Sequence, residues 1–331
     1  MTHHPLARWI DDALATIPLR TKSLIVTVFG DAIAPHGGVV WLGSLIELLA
    51  PLGINARAAR TSLFRLAKEE WLNASPIGRR SVYGLTAAGQ RRIHHAYRRI
   101  YDAPQEAWNG EWQIVFVPEG ALPQKQRDEL RRDLLWEGYG AVAPGVFAHP
   151  SASAEGLREL LQQTGSEDKV VAFRASTLDG AVPRPLQSLA HHCWRLDRVA
   201  ADYRRFGERF RPTLKWLDAS ETHDPQQCFV LRTLLIHEFR RILLRDPQLP
   251  APLLARDWPG RTARALCREI YRRTLPPSEE YLLCTLQTPE GDLPAADPGL
   301  HQRFGGIAGD GKEGGAGLPA AGAPARNRTR A

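Results

Sequence analysis

Cysteine is sparse in this chain of 331 residues: there are four, Cys193, Cys228, Cys267 and Cys284, with no CxxC pair among them. That spacing argues against a zinc ribbon and for reduced thiols in a cytoplasmic protein. Long apolar runs are missing too, since none reaches the roughly 18 residues that read as a membrane helix. The opening "MTHHPLARWIDDALATIPLRTK" lacks the basic start, apolar middle and small-residue cleavage site of a signal peptide. No internal repeat is visible.

Signatures of catalysis are also incomplete. His237 and Glu238 begin a zinc-protease HExxH, but Arg241 stands where the second His belongs. The adjacent pairs His94–His95 and His191–His192 point to different helix faces and make poor metal forks. "GDGKEGGAG" lacks both GxxxxGK[ST] and its flanking strand and helix. No nucleophile–base constellation stands out.

What the chain does have is positive charge in one place. The formal net charge is +7, and the residues up to Tyr101 hold 13 Lys and Arg against 6 Asp and Glu. That segment therefore carries the whole surplus, the electrostatic footprint expected for a polyanionic partner. A basic surface with no partner is the alternative that charge alone leaves standing.

Order within the segment decides between them. "TKSLIVTVFGDAIAP" (21–35) has helical periodicity, with a buried strand as the local alternative. "WLGSLIELLA" (41–50) spaces Leu42, Leu45, Ile46 and Leu49 as a helix. Pro51 and Gly53 break it, and Asn55 caps the next one. That helix has Ala59, Leu63, Leu66 and Ala67 on an apolar face and Arg57, Arg60, Thr61, Ser62, Arg65 and Lys68 on its other sides. Two strand-like runs, "WLNAS" and "SVYGLT", flank the turn "PIGRR" and its Arg79 and Arg80, and a basic helix follows. Helix, turn, basic helix and basic hairpin together spell a winged helix-turn-helix. In such a module arginines reach guanine edges in the major groove and a hairpin tip meets backbone or minor groove. The eight candidate DNA contacts are thus Arg57, Arg60, Thr61, Ser62, Arg65, Lys68, Arg79 and Arg80.

Beyond Tyr101 the pattern changes. "WQIVFV", "GVFAHP" and "KVVAFR" alternate with two amphipathic helices, which predicts a small α/β layer with helices on one side of a sheet. From about Pro185 the segments are long, helical and rich in arginine. Of the last 44 residues, 24 are Gly, Ala or Pro, a composition that reads as disordered. The expected units are 20–101, 108–178, 185–285 and a tail at 288–331.

The stretch "LIVTVFGDAIAPHGGVVWLGSLIELLAPLGINARAARTSLFRLAKEEWL" with "GRRSVYGLTAAG", and later "LIHEFRRILLRDPQLPAPLLARDWPG", resembles the PaaX-like regulators, the phenylacetic acid degradation repressor family. The likeness runs from about residue 20 to about 285. The recognition segment is also similar to the GntR group, where the arginine matching Arg60 lies on a contact helix. The resemblance implies a multidomain fold, mostly α with α/β: a winged helix-turn-helix, a central ferredoxin-like (Cas2-like) domain and a C-terminal helical domain. It implies a cytoplasmic, homodimeric repressor of aromatic-acid catabolic genes, released from a partly palindromic operator by an acyl-coenzyme A such as phenylacetyl-coenzyme A. It implies no cofactor, no metal and no catalysis.

Two rival readings are enzymatic. A Cas2-type nuclease needs an Asp at the end of its first strand, but "WQIVFVPEG" puts Val117, Pro118 and Glu119 there, and Glu119 reads as a turn carboxylate. A coenzyme-A-handling enzyme lacks a catalytic constellation. For an effector, Arg204, Arg205, Arg240, Arg241 and Arg245 offer charge and Trp194, Trp216 and Trp258 offer apolar walls, with no single site singled out. "RDWPG" (256–260) reads as a structural corner.

Overall fold

The computed structural model describes residues 5–102, 108–176, 186–219 and 222–306. The tail from 307 on, with its "GDGKEGGAG", the middle of the expected linker at 102–111 and the His95 side chain lie outside the described residues. The protein is mostly helical, with a small amount of sheet.

Helix α1 (Pro5–Thr16) precedes the expected start of the first unit. It buries Leu6, Ile10 and Ala13 at helical spacing, and the Trp9 indole donates to the Arg209 carbonyl at 3.2 Å. Helix α2 (Thr21–Val28) takes the helical option for its apolar run and widens into a π turn at Phe29–Ile33. Strand β1 (Val39–Trp41) leads into α3 (Leu42–Leu49), and after the turn α4 (Ala56–Lys68) packs on α2. Strands β2 (Leu72–Ile77) and β3 (Arg80–Leu85) form an antiparallel hairpin, with β1 on the far side of β3. Helix α5 (Ala87–Tyr101) follows, capped by the Thr86 hydroxyl, which accepts from Gly89 N at 2.9 Å. Gly89 is required here, because a Cβ would lie 2.1 Å from the Trp71 carbonyl oxygen.

The central unit runs β4 (Glu111–Phe116), α6 (Gln124–Trp136), β5 (Gly140–Ala143), β6 (Val146–His149), α7 (Ala154–Thr164), β7 (Val171–Ser176). Its antiparallel sheet has the order β5-β6-β4-β7, which makes a βαββαβ ferredoxin-like arrangement. Val115, Val117, Phe147, Leu130, Leu134 and the α7 leucines form a core of their own. The short β5 is not visible as a strand in the sequence. Trp112 on β4 stacks on Trp194 of α8 (Leu186–Trp194) at 6.3 Å, and the Trp194 indole donates to the Gly138 carbonyl at 2.7 Å.

Three long helices complete the chain: α9 (Leu196–Asp218), α10 (Pro225–Leu243) and α11 (Pro259–Thr285). Helix α10 is buried nearly all round and crosses both α2 and α5. The apolar residues of the first 101 positions and those of these helices accordingly form one continuous core, not two.

Disorder from Thr288 onward does not hold for 288–306. Strands β8 (Gln287–Thr288) and β9 (Gly291–Asp292) and helix α12 (Gly299–Gln302) are ordered, and the Trp41 indole donates to the Thr288 carbonyl at 2.8 Å. Leu293, Leu300, Arg303 and Phe304 are buried. Composition averages over the segment, whereas these few anchoring side chains decide its order.

The anchor is Asp31, buried in the π turn. Its carboxylate accepts from Arg232 Nε and Arg303 Nη1, each at 2.8 Å, and from the hydroxyls of Tyr101 (2.5 Å) and Tyr271 (2.9 Å). Its backbone carbonyl accepts from the same two arginines at 3.0 and 2.9 Å. Arg232 also donates to Glu279 at 2.6 Å, and His36 bridges Glu279 (2.9 Å) and the Pro294 carbonyl (2.6 Å). Asp31 and Glu279 each face a guanidinium directly, and such pairing is the condition for holding charge in a core. Burial alone would raise the Glu279 carboxyl; the hydrogen bonds from His36 and Arg232 outweigh it and hold the group at about 2.

Asp31→Asn leaves Arg232 and Arg303 buried beside a neutral group, so urea unfolding should show a loss of about 3–5 kcal/mol; an unchanged midpoint contradicts this.

Acid should act through two histidines. Burial, with the charges of Arg240 and Arg241, pulls His237 down to about 3, and burial with Arg99 pulls His149 down to about 4. Both are neutral in the fold, while the unfolded chain protonates them below about pH 6.5. The unfolded state then binds more protons, so their contribution is complete above about pH 6.5 and drains away as pH falls toward 4 and 3. His237 shares a 3.0 Å hydrogen bond with Thr27, which Gln can replace. Between pH 7 and 4.5, His237→Gln should lose about 2–3 kcal/mol less stability than the parent in urea melts; equal losses contradict it.

Candidate nucleic-acid interface

Helix α4 owes its position to a cap and a turn. Gly53 takes φ +76°, which reverses the chain after α3, and the Asn55 side chain accepts from Ala58 N at 2.9 Å. Ala59, Leu63 and Leu66 then face the core. With 3.6 residues per turn, Arg57, Arg60, Thr61, Phe64 and Lys68 fall within about a third of the helix circumference on the opposite side, with Arg65 at its edge. All six are exposed.

Ser62 is a correction. It is only 8% exposed, because it stands three residues after Ala59 and four before Leu66, on the buried face. It is not available to a nucleic acid. Thr61 is exposed, with its hydroxyl donating back to the Arg57 carbonyl at 2.9 Å.

The hairpin tip is a two-residue turn, Gly78–Arg79, closed by the pair Ile77–Arg80. Gly78 takes φ +60° at the first central position, as a type II′ turn requires. Arg79 is exposed there, and the Arg80 guanidinium lies 5.7 Å from the Trp41 ring. Among the described residues, no carboxylate comes within 4.0 Å of Arg57, Arg60, Arg65, Lys68, Arg79 or Arg80. The nearby Glu69 is occupied by Lys22 at 2.8 Å. Seven of the eight candidates therefore lie on α4's outer face or at the hairpin tip, with their cations unneutralised.

Two apolar residues on this surface escaped the sequence reading: Phe64, 69% exposed, and Ile77, 48% exposed. The signal for Phe64 is present in "RTSLFRLAK", where it interrupts the polar face at helical spacing. An exposed Phe there suits the 5-methyl group of thymine.

Other candidate chemistry resolves into structure. Among the described residues, no three metal-ligating side chains cluster. His237 is buried against Thr27, and Glu238 pairs with Arg241 at 2.6 Å. Glu119 is exposed beside a turn closed by Ala121 N and the Pro118 carbonyl. Of the effector arginines proposed from sequence, Arg205 and Arg245 pair with Asp202. Trp258 alone of the three tryptophans lines a large cavity, where it also packs edge-on against Tyr203 at 6.1 Å. No helix among the described residues is long and apolar enough to cross a membrane.

Helices, hairpin and ferredoxin-like layer define a multidomain, mostly helical protein with a Cas2-like centre. Residues 20–89 match the family described as PaaX-like protein, 105–186 the PaaX protein central Cas2-like domain, and 194–284 the PaaX-like protein C-terminal domain. The chain is 39% identical over 303 residues to the transcriptional repressor PaaX of Escherichia coli strain K12, covering 91% of this chain and 95% of that protein. It belongs to the PaaX-like family. A solved structure, the uncharacterized protein Rv0674 of Mycobacterium tuberculosis, matches with a TM-score of 0.50 at 25% identity, over 78% of this chain and 96% of that one.

Proposed function

We propose that the protein is a DNA-binding transcriptional repressor of phenylacetic acid catabolism, a regulator and not an enzyme, acting in the cytoplasm. The observation that carries the reading is the α4 face: three arginines, a lysine, a threonine and an exposed phenylalanine, with no acidic partner, beside a basic hairpin. In this reading residues 20–101 are a winged helix-turn-helix domain with its linker helix. Helix α4 enters the major groove, and Arg79 and Arg80 on the wing meet the adjacent backbone or minor groove. The kinship with a named repressor supports it.

Two finer features belong to the proposal. The first is a homodimer, matching a partly palindromic operator. It is supported by the outer face of the central sheet, where Phe116, Val171 and Phe173 stand exposed on β4 and the edge strand β7. The second is release by an acyl-coenzyme A, with phenylacetyl-coenzyme A the expected effector. Release requires the ligand to bind the DNA-free conformation more tightly than the DNA-bound one.

Fluorescence anisotropy with DNA from upstream of the chain's own gene neighbourhood, at two salt concentrations, tests this. Binding should weaken steeply with salt and be reversed by the thioester. Arg60→Ala should cost about 1–3 kcal/mol of operator affinity, whereas Ser62→Ala should leave affinity as it is. Binding that ignores both salt and Arg60→Ala overturns the reading of α4; binding that ignores the thioester overturns only the effector.

A further inference from the structure

A cavity of about 770 Å³, open to solvent where Arg261, Ala265 and Arg268 are exposed, lies between α9, α10, α11 and the segment after α12. Its size is in the range of small-molecule sites, roughly 300–1,000 Å³. Tyr203, Phe239, Leu249, Leu254, Trp258 and Phe304 give it apolar and largely aromatic walls. Gly260 lets the Trp258 indole pack directly against the start of α11, since a Cβ there would lie 2.5 Å from the indole nitrogen.

One side is cationic. Arg261, Arg264 and Arg268 line it from successive turns of α11, at the i, i+3, i+7 spacing of a single helix face. Their hydrogen bonds go to carbonyl oxygens, of Arg256, of Ile100 and Asp102, and of Gly306. Among the described residues none of the three pairs with a carboxylate. Asp246 also lines the cavity, but its carboxylate accepts from the Tyr203 hydroxyl at 2.5 Å and from Gln248 N at 2.8 Å. A chamber with aromatic walls and a row of guanidiniums without carboxylate partners suits a ligand that is apolar at one end and anionic at the other.

The same residues touch the DNA-reading unit. Arg264 holds the last carbonyls of α5. Arg99 on α5 donates to the carbonyls of Leu243 and Asp246 at 3.1 and 2.7 Å, and Gln248 donates back to the Arg99 carbonyl at 3.2 Å. At the other end of α5, the Thr86 hydroxyl donates to the Glu70 carbonyl at 2.5 Å, just after α4. Phe304 packs on Tyr101 and Tyr271, next to Arg303 on Asp31. One helix thus runs from the cavity to the base of the recognition helix and hairpin.

We propose that this cavity is the effector site: its aromatic chamber takes the apolar acyl group, Arg261, Arg264 and Arg268 take the phosphates of the carrier, and α5 carries the response. The assignment rests on the effector reading above. An anion that draws Arg264 off the Ile100 and Asp102 carbonyls frees the end of α5, whose far end braces α4.

The test is calorimetric titration of the full chain and two variants with phenylacetyl-coenzyme A. Ala265→Trp fills the chamber from an exposed helix position, and Arg268→Glu reverses one charge. Both should keep the parent's thermal unfolding temperature to within about 3 °C. Each should weaken thioester binding by about tenfold or more. Parent-like binding by both variants overturns the site and leaves the effector reading intact. If the parent binds no thioester, the effector reading falls, and 1-anilinonaphthalene-8-sulfonate, an aromatic anion, decides the cavity separately. Dye binding lost in both variants supports an aromatic-anion site there; dye binding unchanged in both overturns it.

Discussion

Asp31 is a single carboxylate on which five segments of the chain converge. Its own π turn follows α2, Tyr101 ends α5, Arg232 comes from α10, Tyr271 from α11, and Arg303 from the segment after α12. Burying two arginines is affordable only because Asp31 and Glu279 oppose their charge, and carboxylate, hydroxyl and carbonyl oxygens accept from all of their buried donors but Arg303 Nε. The α-helical run ending at Val28 widens just there, and the Asp31 carbonyl accepts a hydrogen bond from each guanidinium. Moving the π turn, α10 or the segment after α12 unpairs a buried charge, and moving α5 or α11 removes a hydroxyl from Asp31, so the five are held in one geometry.

The consequence for the proposed function is that α2 to α5 and the hairpin are not a module on a tether. Helix α4 rests on α2, α2 contacts α10, and α5 joins the hairpin to the cavity between α9, α10 and α11. The central layer differs: it has its own core and meets the rest largely through the Trp112–Trp194 stack and the Gly138 carbonyl. A change at the cavity therefore has a short mechanical route to α4 that bypasses the central layer.

Local patterns were legible in the sequence where local physics decides them. The Asn55 cap, the Gly53 turn, the apolar stripe of α4, the hairpin and the βαβ alternation of the centre all follow from side-chain period and turn chemistry. Ser62 was misplaced because its polarity was read without its phase, which lies between Ala59 and Leu66. Phe64 was missed for the converse reason. The order of 288–306 was hidden because it depends on Arg303 meeting Asp31 across 272 positions. The arginines of α11 show as R-x-x-R-x-x-x-R, but only the fold reveals that they face a cavity while Arg205, Arg241 and Arg245 face acids.

The central claim is that helices α2 to α5 and the C-terminal helices form one cooperative unit closed by Asp31. Native-state hydrogen exchange along a urea series measures this directly. The account predicts that the most protected amides of α2 and α4 open with the same free energy and urea dependence as those of α10 and α11. Exchange of α2 and α4 through a smaller opening, with α10 and α11 still protected, would contradict it.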